Sequence, residues 1–401
     1  MIRLCSYGQV MTTAELSNPA VDRRPPLVSR TLLMVFIADF AGLTSFYLLL
    51  PVVPKYAAAT GAGLAATGLT TAVLMGSTVV AELAMPRLVV AFGHRRVLAG
   101  GLVLLGVPAL VVPLVPSPAA IMAVCLLRGV GLAVIFVVCG ELAATLVPPQ
   151  RRGEGLGVLG LVSGLPAVAA MPLGVWLAGL VGFSPALLAG GLASLAGLVA
   201  VAALPRELVP VEPGRPPLRV LAALGTPALL RPSVVFAATA VGGGAVLTFL
   251  PVAVPHGGLA SVALLTQALA ATASRWWAGR YGDRHGAQSL LMPATLLAAA
   301  GILALVLIDT PVAVLTGSIL FGLGFGVAQN ASLTIMYGTA GIGAFSAVTA
   351  VWSVAYDSGL GLGAAGFGLL AGHAGLPAAF VVTAAIMAAI APLARRRARR
   401  R

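Results

Sequence analysis

Apolar residues run along this chain in long unbroken stretches, divided by short breaks that carry Arg, Gly and Pro. The stretches lack the period-two alternation of a membrane barrel strand. Most reach the roughly 20 residues a helix needs to cross a bilayer. The pattern predicts twelve spanning helices, at 31–53, 63–86, 97–116, 119–146, 154–180, 184–204, 233–254, 258–278, 287–308, 311–337, 343–370 and 376–394.

Composition turns these runs into membrane spans rather than buried core. Of 401 residues, 59% are hydrophobic and 9% charged, and mean hydropathy is +1.04. A soluble domain carries about 25% charged residues. A chain this apolar cannot cover its own surface with polar groups, so its solvent is lipid. The 49 glycines suit helices that approach one another closely.

Charge placement sets an expected orientation. With the N-terminus in the cytoplasm, 22 of the 24 basic residues fall in cytoplasmic tails and loops. They include Arg87, Arg95 and Arg96 after span 2, and Arg275, Arg280 and Arg284 at the junction after span 8. Lys55 falls on the other side, and Arg128 lies within the bilayer. This asymmetry predicts a multi-pass protein of a bacterial cytoplasmic membrane with both termini inside. The net charge of +13 is scattered between apolar runs, so nucleic acid is not an expected partner. Lys55 is the single Lys and is followed by Tyr56, which excludes a Walker A loop. Cys5, Cys125 and Cys139 lack metal-finger spacing, and the histidines lack acid partners at ligand spacing. No metal or cofactor is expected. Residues 1–30 have no apolar segment of signal-peptide type.

The longest break, 205–232, divides the chain near its middle. The expected organisation is a cytoplasmic tail (1–30), a six-helix bundle (31–204), a linker (205–232), a second six-helix bundle (233–394) and a basic tail (395–401). The halves echo one another. Leu50-Pro51-Val52 ends span 1 and Leu250-Pro251-Val252 ends span 7. Phe92-Gly93-His94-Arg95 follows span 2, and His285-Gly286 follows span 8. Two parallel six-helix repeats are a transporter signature.

Several motifs, in order along the chain, resemble the major facilitator superfamily. Gly279-Arg280-Tyr281-Gly282-Asp283-Arg284-His285-Gly286 is similar to that family's motif after helix 8. The first-half copy runs from Pro86 and Arg87 to Gly93, His94, Arg95 and Arg96, with Pro86 and Val90 where the family has Gly and Asp. Arg128-Gly129-Val130-Gly131 looks like the helix-4 motif, and Pro148 to Gly153 like the following loop. Met171-Pro172-Leu173-Gly174 keeps the Pro and one Gly of the drug–proton antiporter motif. The resemblance covers nearly the whole chain. It implies an all-α integral membrane fold of two pseudo-symmetric six-helix bundles around a central cavity. It also implies a cytoplasmic gate built from Arg87, Gly93, Arg95, Arg96, Gly279, Gly282, Asp283, Arg284 and Gly286.

Four acidic residues lie within spans: Asp39, Glu82, Glu141 and Asp357. An ionised carboxylate costs about 2.5–3.5 kcal/mol at the bilayer centre, so each is a functional candidate. Asp39 lies about 12 Å above the cytoplasmic edge and Arg128 about 17 Å. The two are expected to pair across the first bundle as a proton-coupling switch. Asp39, Leu43, Phe46 and Tyr47 share one helical face. Trp352 and Tyr356 share a face beside Asp357, a setting for a cationic or amphiphilic substrate. Glu82 and Glu141 are placed to reach Arg87 and Arg95 as gate acids. Gln267, Gln329 and Asn330 are the uncharged polar candidates for a midplane cavity.

The expected function is secondary transport, with proton-coupled export of small amphiphilic molecules by alternating access. The partners are a small-molecule substrate, protons and the lipid bilayer, and the working unit is a monomer. A proton-coupled sugar or metabolite importer is the alternative, though a sugar site wants more polar cavity residues. An intramembrane protease is remote: Tyr356-Asp357 matches half of the aspartyl pair, and Gly361-Leu362-Gly363 is followed by Ala364 rather than Asp.

Overall fold

In hydrocarbon every backbone N–H and C=O must be satisfied within its own segment, so apolar runs of this length become helices. The computed structural model of the chain describes residues 29–115, 117–147, 152–205, 227–254, 257–339 and 345–395. The tails at 1–28 and 396–401, the loop 148–151 and most of the linker lie outside the described residues.

The helices in chain order are α1 (Arg30–Ala59, interrupted at Leu50 and Pro51), α2 (Leu64–Phe92), α3 (His94–Leu114), α4 (Pro118–Leu146), α5 (Arg152–Val181), α6 (Phe183–Ala202), α7 (Pro227–Ala253), α8 (Gly257–His285), α9 (Gln288–Leu307) and α10 (Pro311–Thr339). A last helical stretch, Phe345–Ile390, breaks at Gly375, whose φ is 82°. Its two arms are α11 (345–374) and α12 (376–390). Twelve helices therefore stand among the described residues. Ten apolar segments are long enough to span a membrane, one of them holding both α11 and α12. The one outside that set is α8, which carries a cluster of polar and charged residues. Helix α7 starts at Pro227, inside the stretch assigned to the linker from sequence.

Turns are made where the chain permits φ > 0. Gly93 (φ 78°) and Gly286 (φ 83°) close α2 and α8 in the same way, each donating its N–H at 2.8 Å to the carbonyl four residues back. The two motif glycines thus occupy equivalent places in the two halves. Ser29 and Ser117 cap α1 and α4 by accepting from the N–H three residues on.

Within the first half α1 packs on α5 and α6, and α2 on α4. In the second half α7 packs on α11, and α10 on α8 and α9. The halves meet along two seams, α2 against α11 and α5 against α8. The end where α2 and α8 finish is called the basic end here, and the opposite one the far end. Toward the far end, α2 and α11 approach to backbone contact. A Cβ on Gly68 would overlap the Ala364 carbonyl, and one on Gly368 would press on the Leu64 carbonyl. Gly359 and Gly363, on another side of α11, give α7 the same access. The glycine-rich α11 is thereby a packing element wedged between the halves. Outward faces carry exposed Val80, Leu161, Val199 and Leu362, as lipid contact requires.

Candidate functional site

A cavity of about 220 Å³ opens between the two halves. Its walls come mainly from α5 and α8, with single residues or pairs from α1, α7, α10 and α11. Tyr47 comes from α1 and Ser163 from α5. Gln267 and Arg275 come from α8, Phe325 and Gln329 from α10, and Tyr356 from α11. Gln267, Ala271 and Arg275 are spaced four apart and line it from one face of α8.

Arg275 is the residue that sequence reasoning misplaced. The span was expected to end at 278, which put Arg275 at the membrane rim. Helix α8 instead runs on to His285, so Arg275 lies ten residues inside it. Its side chain is partly exposed and lines the cavity. Its guanidinium donates to Gln329 Oε1 at 3.2 Å. Its four-residue register with Gln267 was the available signal.

Asp39 and Arg128 do not pair, contrary to expectation. The Asp39 carboxylate accepts from Ser163 Oγ at 2.7 Å, joining α1 to α5 beside the cavity. Arg128 is fully buried and donates to the carbonyls of Leu105 (2.6 Å) and Ser45 (3.2 Å). Ser45 is six residues beyond Asp39 on α1, so Arg128 engages the helix about 9 Å nearer the far end. The pairing failed on depth. Two turns beyond Arg128, Ile135–Cys139 forms a π-helical turn, a local irregularity frequent at functional sites.

The other candidates divide. Tyr47, Gln267, Gln329 and Tyr356 line the cavity. Phe46 is buried behind Tyr47, its ring 4.8 Å from the Tyr47 ring. Trp352 stacks on Phe236 at 4.8 Å and donates from Nε1 to Ser332, stiffening the wall behind Tyr356. Asn330 points to the α8–α10 contact, against Gly279. Asp357 is buried on α11 and is not part of the lining.

The expected gate contacts take another form. Among the described residues the one acid–base contact within 4 Å joins His94 Nε2 to Glu141 Oε1, at 3.3 Å. His94 is buried at the start of α3, where Glu141 of α4 reaches it. Neither Glu82 nor Glu141 reaches Arg87 or Arg95 as an ion pair. Arg95 donates to the Ala202 carbonyl at 2.8 Å and, with Arg96, borders a surface cleft against α6. Arg87, Asp283 and Arg284 are exposed, and Gly279 and Gly282 lie within α8. No cluster of three metal-ligating side chains occurs among the described residues.

The chain is similar to several known proteins. It is 34% identical over 210 residues to a chloramphenicol resistance protein of Streptomyces lividans, a match covering 50% of this chain and 53% of that one. It is 34% identical over 130 residues to an uncharacterized MFS-type transporter of Mycobacterium tuberculosis, covering 32% of this chain and 19% of the other. The chain thus aligns with about half, and about a fifth, of these relatives' lengths. Among solved structures, a bacterial homolog of the human lysosomal transporter Spinster aligns with a TM-score of 0.77 at 14% identity, over 94% of this chain and 97% of that one. The nucleoside transporter NupG aligns with a TM-score of 0.70 at 14% identity, over 90% of this chain and 98% of that one. These likenesses establish a shared fold. The profile of the Major Facilitator Superfamily matches residues 35–363, and with its twelve helices in two halves around a cavity the chain belongs to that family.

Proposed function

We propose that this transporter exports small amphiphilic molecules from a bacterial cytoplasm in exchange for protons, with both termini cytoplasmic and the monomer as the working unit. The observation that carries the reading is the Asp39–Ser163 bond in the wall of the cavity. Asp39 is 3% exposed and has no cation within ion-pair distance among the described residues. A proton bound there removes a buried charge. Its release requires water or a new partner at the carboxylate, which opening the cavity to one side and then the other supplies. Asp39 is the residue assigned to the proton.

Aromatic and apolar walls at Tyr47, Phe325, Tyr356 and Leu247 suit an amphiphilic cargo. Export is favoured over import by the likeness to a chloramphenicol resistance protein over half the chain. The test is dye accumulation in an energised, efflux-deficient bacterium. Wild type should lower accumulation, a protonophore should abolish the difference, and Asp39→Asn should behave as empty vector. Equal export by Asp39→Asn would remove Asp39 from the proton path.

A further inference from the structure

Among the described residues lining the cavity, Arg275 alone is charged. Its one hydrogen-bond partner among the described residues is the neutral Gln329. Among the described residues no carboxylate comes within ion-pair distance of it. The two nearby span acids are turned away: Asp39 and Asp357 are each 3% exposed, and neither belongs to the lining. A partly exposed guanidinium in a cavity wall without a counter-charge is free to pair with an anion that enters the cavity. Eight residues along the same face of α8, Gln267 is 5% exposed and its Oε1 has no hydrogen-bond partner. Tyr47 and Tyr356 add two phenol hydroxyls to the same walls.

From this arrangement we infer that the cargo carries an acidic group, a carboxylate or an equivalent anionic oxygen group, bound by Arg275 with Gln329 holding the guanidinium in place. A hydroxyl or amide elsewhere on the same molecule meets Gln267, and its apolar part lies on Tyr47, Tyr356 and Phe325. A planar guanidinium matches a carboxylate with two parallel donors, and such bonds are stronger than neutral ones. A cationic amphiphile would meet Arg275 with no acid on the cavity surface to offset the repulsion. The cationic cargo expected from Asp357 on sequence grounds is thereby replaced. This inference rests on the transport reading above and names its substrate class.

The test uses three matched probes on the purified full chain: a coumarin carboxylate, its primary amide and its aminoethyl amide. Binding is read in detergent by fluorescence, and proton-driven flux in proteoliposomes. Wild type should bind the carboxylate about tenfold more tightly than either amide, as a charge-assisted pair implies. Arg275→Gln should erase that preference while leaving the primary amide within about twofold. Arg275→Lys should restore part of it and, with a matching gel-filtration profile, show that Arg275→Gln did not merely misfold. Wild type that binds the aminoethyl amide best, or an Arg275→Gln variant that keeps the carboxylate preference, overturns the inference. Carboxylate binding lost in Arg275→Gln but never accompanied by proton-driven flux supports the acidic-group site and overturns the transport reading instead.

Discussion

Thr71 Oγ1 and Thr248 Oγ1 lie 2.9 Å apart, both buried, and join α2 of one half to α7 of the other toward the far end. Removing one hydroxyl leaves the other buried without its partner. Thr71→Val and Thr248→Val should each cost about 1–2 kcal/mol, and the double variant should be no worse than the poorer single one. Thermal melting in detergent, followed by Trp fluorescence, reads all four corners of the cycle. Additive losses would show that the hydroxyls do not stabilise one another.

The Gly68 contact with the Ala364 carbonyl admits no side chain. Gly68→Ala pushes two backbones apart rather than displacing a flexible group. It should weaken closure at the far end and raise maleimide labelling of a Thr71→Cys reporter several-fold. Unchanged labelling would mean that α2 and α11 adjust elsewhere without separating.

Ser163 is the hydrogen-bond partner of Asp39 from α5. Ser163→Ala should slow proton-driven flux less than Asp39→Asn does, because it misplaces the carboxyl without deleting it. Ser163→Thr keeps a hydroxyl and should recover part of the rate. Flux measured against an imposed pH gradient ranks the three, and any other order breaks the assignment.

Arg128 holds two carbonyls and no acid. Arg128→Gln should destabilise the first half by about 3 kcal/mol or more, since buried acceptors lose a charged donor. Because Asp39 and Arg128 do not touch, Asp39→Asn and Arg128→Gln should add within about 0.5 kcal/mol in melting experiments. A larger coupling would restore the ion pair that the sequence suggests.

Hydrophobic run length was enough to determine the helical fold class and most of the helices, because lipid leaves the backbone no alternative to internal hydrogen bonding, although α8 with its polar cluster stands outside the apolar set. The echo of Gly93 in Gly286 was legible for the same reason, since a turn needing φ > 0 writes a glycine into the chain. Gln267 and Gln329 were singled out by their polarity within apolar spans, Tyr47 by the helical face it shares with Asp39 and Tyr356 by its place beside Asp357, and all four border the cavity.

Depth and facing were decided only in three dimensions. Arg275 was read as a residue of the junction after span 8, and only the packing of α8 on α5 and α10 turns it into the cavity. A difference of six residues along α1 separated Arg128 from Asp39. His94 reads as a loop residue until α3 and α4 pack and give it Glu141. Composition reports which groups are costly to bury, because that cost belongs to each residue alone. Which group meets which depends on helix register and rotation, and these are set jointly by close contacts such as Gly68 on Ala364 and Gly363 on Val241, which no single span encodes.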